Sequence, residues 1–122
     1  MAGGPYFRAT HPIAGSDLDG NIFLCTEGAT KSSFSQGIIL VSRSTDGGTT
    51  FGGPVVVFKP ENSNDFPDKP WMAVNNFTGT ATPAGRIIVT WTLFQSNGSS
   101  PVMRSDSDHH GPTWGRPLAG HA

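Results

Sequence analysis

The 122 residues carry eight lysines and arginines against nine aspartates and glutamates, a formal net charge of −1, and so even a balance leaves no electrostatic footprint for nucleic acid or an anionic membrane. No apolar run approaches the roughly 18 residues of a spanning helix. The start Met1-Ala2-Gly3-Gly4-Pro5 lacks the apolar region of a signal peptide, and a single cysteine excludes an internal disulfide.

Sixteen glycines and ten prolines punctuate the chain, and no stretch sustains 3.6-residue apolar spacing, so strands and turns are expected throughout. An early strand is expected near Tyr6 to Thr10. Asp17-Leu18-Asp19-Gly20-Asn21 alternates oxygen groups as a calcium loop does, but its glycine falls one place early and Gly28 stands where the closing glutamate belongs. A hairpin turn at Asp19-Gly20 is the better reading. Gly20 then opens a strand running to Thr26, in which Cys25 reads as a small core residue.

Ile38-Ile39-Leu40-Val41 is the next strand, and it leads into Ser44-Thr45-Asp46-Gly47-Gly48-Thr49-Thr50-Phe51. A short carboxylate followed by two glycines is turn chemistry: the carboxylate accepts backbone N–H groups and glycine reaches positive φ without steric cost. Pro54-Val55-Val56-Val57-Phe58 completes the hairpin. Phe51 folds an aromatic ring under the turn as an anchor.

The second half repeats this plan. Trp71-Met72-Ala73-Val74-Asn75 reads as an early strand, and Gly85-Arg86-Ile87-Ile88-Val89-Thr90-Trp91 answers Gly20 to Thr26, 65 positions on. Ser107 to Trp114 answers the octapeptide 63 positions on, keeping Ser107, Gly111, Thr113 and the aromatic Trp114, with His109 in the place of Asp46. Two repeats of four strands, 1–60 and 61–122, are the pattern of propeller blades. The fold class expected is therefore all-β, two four-stranded antiparallel blade repeats belonging to a propeller.

The first octapeptide fits Ser-x-Asp-x-Gly-x-Thr-aromatic and resembles the Asp-box, the bacterial neuraminidase repeat of sialidases and related six-bladed propellers. In that family Ser44, Asp46, Gly48, Thr50 and Phe51, with Ser107, Gly111, Thr113 and Trp114 of the degenerate copy, are structural, on outer turns away from the central site. Asp68-Lys69-Pro70-Trp71-Met72-Ala73-Val74 further resembles secreted bacterial sialidase-like repeats, which implies an extracellular location. Sialidases hold a substrate carboxylate with three arginines and use a tyrosine nucleophile and an aspartate acid/base. Phe7-Arg8 retains two residues of the motif that carries the first arginine. Ala29 stands where another arginine belongs, residues 28–37 contain no aspartate, and the one tyrosine, Tyr6, is at the wrong end of the chain. A complete sialidase site cannot be assembled from these residues, so catalytic residues stay unassigned.

Arg8, Asp68, Lys69 and Trp71 are the candidates for a substrate-binding central face. The competing reading makes Asp68 and Lys69 a solvated ion pair. Asp108-His109-His110 is a poor ligand set, because adjacent histidines on a strand point to opposite faces; no metal and no cofactor are expected. Two blades do not close a ring, which leaves three solutions: a longer propeller, several chains sharing one ring, or a sandwich burying Phe23, Phe58, Trp71 and Trp91. Two functions compete, a glycan-binding or glycan-hydrolysing propeller and a non-catalytic interaction scaffold using loops 28–37 and 92–101.

Overall fold

A computed structural model describes residues 8–29, 37–77, 84–108 and 111–120. Eight strands form two sheets, each a simple antiparallel meander. The first sheet contains β1 (Arg8–Ser16), β2 (Ile22–Ala29), β3 (Gly37–Ser44) and β4 (Val55–Phe58), in that order. The second contains β5 (Phe66–Val74), β6 (Ile87–Phe94), β7 (Val102–Ser107) and β8 (Leu118–Ala119). The fold class expected from the repeats is what forms: all-β, two four-stranded antiparallel sheets, with no helix among the described residues.

Tight turns are built where the sequence places them. Gly20 and Gly85 open β2 and β6 at φ 84° and 87°, a region that only glycine enters without steric cost. At Asp17 the carboxylate closes the first turn: Oδ1 accepts the N–H groups of Asp19 and Asn21 at 3.0 and 2.9 Å, and Oδ2 accepts the Asn21 amide at 2.8 Å. All three bonds stay within the turn, the arrangement expected of a hairpin rather than of a calcium loop.

The first strand of each sheet departs from expectation. Instead of ending at Thr10 or beginning at Trp71, β1 and β5 run through a dipeptide that ends in proline, with the register shifting between Thr10 and Ile13 and again between Asp68 and Trp71. Pro12 and Pro70 have no N–H to give to a ladder, and the residues before them, His11 and Lys69, take φ of 51° and 52°. Each strand bulges there and then resumes. A left-handed conformation costs a non-glycine residue about 1–2 kcal/mol, so both bulges are held by the surrounding packing.

The two sheets share one core. Phe23, Cys25, Ile39, Val41 and Val57 project from the first sheet onto Met72, Ile87, Val89, Trp91 and Leu93 of the second, with the two-residue alternation of pleated strands. Phe58 adds a ring 4.9 Å from that of Trp91. Burial pushes the Cys25 thiol up to about 12, which keeps it protonated and inert at neutral pH. Trp71 is not part of this core. It is 68 % exposed, because Met72 beside it takes the inward position of β5 and alternation turns the indole to the other face.

Matched positions of the two sheets are used in opposite senses. In the glycine-led block Ile87, Val89 and Trp91 of β6 correspond to Ile22, Leu24 and Thr26 of β2, yet the core residues of β2 are Phe23 and Cys25. One face of the first sheet therefore meets the opposite face of the second, a head-to-tail contact. The outer face of the second sheet carries Trp71, Thr90, Arg104 and Leu118 in one cross-strand row. Trp71, Ile88, Phe94, Val102 and Leu118 are all exposed there.

Candidate functional site

The octapeptide turns lie at one end of the strands and bond internally. Ser44 Oγ donates to Asp46 Oδ1 at 2.7 Å and accepts the Gly48 N–H at 2.9 Å, while Asp46 accepts the Thr50 N–H at 2.9 Å and the Thr50 hydroxyl. These bonds, that of the Thr50 hydroxyl foremost, hold the Asp46 carboxyl down at about 2. In the second turn Ser107 Oγ accepts the Gly111 N–H at 3.1 Å, and the Trp114 indole donates to the Gly111 carbonyl at 3.1 Å. Gly48 and Gly111 share φ of 91°. Phe51 and Trp114 are half-buried, and Trp114 packs on the core. Thr113 is exposed. A groove of about 410 Å³ between the two turns is lined by Arg43, Phe51, Gly111 and Pro112 among others. It contains no convergent set of titratable groups.

At the other end of the strands the two proline bulges meet. His11 projects from the bulge of β1, Glu27 from the middle of the sheet on β2, and Asp68 from the bulge of β5. His11 Nε2 lies 3.5 Å from Asp68 Oδ1 and 4.0 Å from Glu27 Oε2, and one ligating atom from each of the three residues falls within 4.8 Å of the others. Asp68 Oδ1 also accepts the N–H of Lys69 at 2.9 Å. Glu27 is 4 % exposed, and its Oε2 is buried without a hydrogen-bond partner. Burial first, and then the Asp68 carboxylate, push Glu27 up to about 7. Both causes act in one direction, because burial and a neighbouring negative charge each disfavour the ionised form of Glu27. The cluster thus offers a proton-holding carboxyl, a second carboxylate and an imidazole, on strained backbone between two sheets, a common circumstance of functional sites.

Of the sequence candidates, Asp68 belongs to this cluster and exposed Lys69 borders it. Asp68 turns to His11 rather than to the Lys69 ammonium, so the expected solvated pair is replaced by a pair between sheets. Arg8 opens β1 opposite Ala29. Trp71 stands on the outer face of its sheet, three positions from Asp68. Asp108, considered as a metal ligand, lies 3.0 Å from Arg86 Nε, which also donates to Asp106 at 2.8 Å; His109 and His110 are outside the described residues, as are Tyr6 and residues 30–36 of the first scaffold loop. Residues 92–94 of the second scaffold loop are still strand β6, and the hairpin that follows closes through the Gln95 N–H to Ser99 carbonyl bond.

Sequence reasoning missed His11 and did not single out Glu27. A usable signal existed: His11-Pro12 mirrors Lys69-Pro70 at the same place in each repeat, and Glu27 is a carboxylate inside a strand of buried residues.

No family model and no curated protein matches the chain. Among solved structures, Hadza microbial sialidase Hz136 superposes with a TM-score of 0.77 at 19 % identity, over 94 % of this chain. The chain spans 26 % of the length of that sialidase, about a quarter. At this identity the likeness is one of fold, and the chain has a sialidase-like β fold.

Proposed function

We propose that the chain is a pair of Asp-box blades from a sialidase-like propeller, with units 1–60 and 61–122, and that its role is the recognition or hydrolysis of glycans outside the cell. The observation that carries this reading is the head-to-tail packing of the sheets. A contact joining unlike faces repeats itself, so the outer face with Trp71, Ile88, Phe94, Val102 and Leu118 is the counterpart of the face that Phe23 and Cys25 already press into a neighbour. Its natural occupant is another four-stranded sheet of the same kind, and repetition closes a ring. On that reading Trp71 is a blade-packing residue rather than a sugar platform.

Within the ring β1 and β5 are the first, innermost strands, and the bulges at His11 and Lys69 reach the central face. Lys69 supplies a cation for an acidic sugar beside the carboxyls of Glu27 and Asp68. The remaining arginines and the nucleophile of a hydrolase would come from further blades. A scaffold function is the second reading, supported by Ala29 in the place of an arginine.

Two measurements test the proposal. Light scattering should find self-association that Ile88→Glu, on the outer face, abolishes; a wild-type monomer that binds no apolar dye overturns the blade assignment. A glycan array should show binding to sialylated or other acidic glycans that falls at least tenfold in Lys69→Ala. An array blank for the assembled wild type overturns the glycan role and leaves the scaffold.

A further inference from the structure

Three strands bring a nitrogen and two carboxylate oxygens to one point between the sheets. We propose that His11, Glu27 and Asp68 bind a divalent cation of the zinc class, which clamps β1 and β2 of the first sheet to β5 of the second.

Geometry is the first support. Ligands held at about 2.0–2.2 Å around a tetrahedral ion stand roughly 3.3–3.6 Å apart. His11 Nε2 is already 3.5 Å from Asp68 Oδ1, and its 4.0 Å separation from Glu27 Oε2, like the 4.8 Å within which all three ligating atoms fall, closes with small movements of the half-exposed imidazole and of the Asp68 carboxylate, both partly open to solvent. An independent support is Glu27 itself. Its residue is 96 % buried, and Oε2 has no hydrogen-bond partner although it faces the cluster. A buried acceptor left unpaired is costly, and a cation between it and the imidazole satisfies it. The donor set selects the ion: imidazole with two carboxylates suits zinc, whereas calcium prefers oxygen alone. Since the imidazole is 48 % exposed, the fourth position opens to solvent, as in zinc sites that hold water or a ligand group. This site stands on its own geometry and does not depend on glycan binding.

Equilibrium dialysis against zinc chloride with elemental analysis, paired with thermal melting, tests it. Wild type should retain zinc and melt at higher temperature with it. His11→Asn and Asp68→Asn, at positions partly open to solvent, should each bind at least tenfold more weakly, as should the near-isosteric Glu27→Gln. The double variant His109→Ala with His110→Ala serves as the control for adventitious binding by the adjacent histidines and should retain the zinc. Zinc retained undiminished by Asp68→Asn, a wild type indifferent to zinc, or a larger thermal shift with calcium chloride would each overturn the site. Far-UV circular dichroism of the variants separates loss of ligand from loss of fold.

Discussion

The two octapeptide turns are built on one frame but tied off by different groups. In the first, Asp46 gathers the Ser44 hydroxyl, the Thr50 N–H and the Thr50 hydroxyl on one carboxylate. In the second, the indole of Trp114 holds the Gly111 carbonyl, and Arg86 binds Asp106 and Asp108 close by on β7 and just beyond it. Common to both is a serine hydroxyl accepting the N–H of a glycine at φ 91°. The backbone bond after each turn is also shared, Gly52 N–H to Arg43 carbonyl and Gly115 N–H to Asp106 carbonyl. The difference teaches that the glycine and the serine answer to backbone geometry, which has few solutions, while the group that stiffens the turn can be exchanged.

The two repeats also differ in the core, where the largest effect is expected. Trp91 occupies the place that Thr26 holds in the first repeat, yet Trp91 is 1 % exposed in the shared core. Trp91→Ala should cost about 3–5 kcal/mol, read by urea denaturation. A cost below 1 kcal/mol would break the claim that the second sheet's face is the one turned inward.

Gly48→Ala and Gly111→Ala test the turns against each other. Both place a Cβ at φ 91°, with the nearest side-chain atoms at 3.5 Å (Ile22) and 3.4 Å (Phe23), ordinary contact distances. Backbone strain should therefore dominate and lower stability by about 1–2 kcal/mol at either site. If one replacement is silent and the other severe, the turns do not share a conformation.

The smallest effect is the pH dependence of the first turn. Asp46 titrates at about 2 in the folded chain against an ordinary 3.8. Its contribution is thus fully present above pH 3.8 and is lost as pH falls towards 2. Because the group is solvent-exposed the loss should be modest. Denaturation at pH 5 and pH 2.5 should show a smaller acid-induced drop for Asp46→Asn than for wild type; equal drops would assign the acid sensitivity elsewhere.

Much of the fold was legible. Asp19-Gly20 and Asp46-Gly47-Gly48 are turns for reasons internal to a few residues, and the strands between them are visible as short apolar runs, Ile22 to Cys25 and Ile38 to Val41. The limits of β1 and β5 were not legible, because a proline normally ends a ladder, and only pairing on the far side of His11-Pro12 and Lys69-Pro70 shows that these strands resume. At the candidate site Asp68 was visible as a carboxylate ahead of a strand. Its partners were not, since His11, Glu27 and Asp68 are distant in sequence and lie on three strands.

By itself the chain's order of residues determined a repeat of four strands, twice, with serine and glycine at matched turns, because those features depend on local backbone preference. Only the tertiary structure decided which face of each sheet is covered, since alternation marks two faces without saying what meets them. The same stacking left Trp71 exposed, buried Glu27 without a hydrogen-bond partner for Oε2, and brought Asp68 from the second sheet to stand beside it and its neighbour on β1, His11.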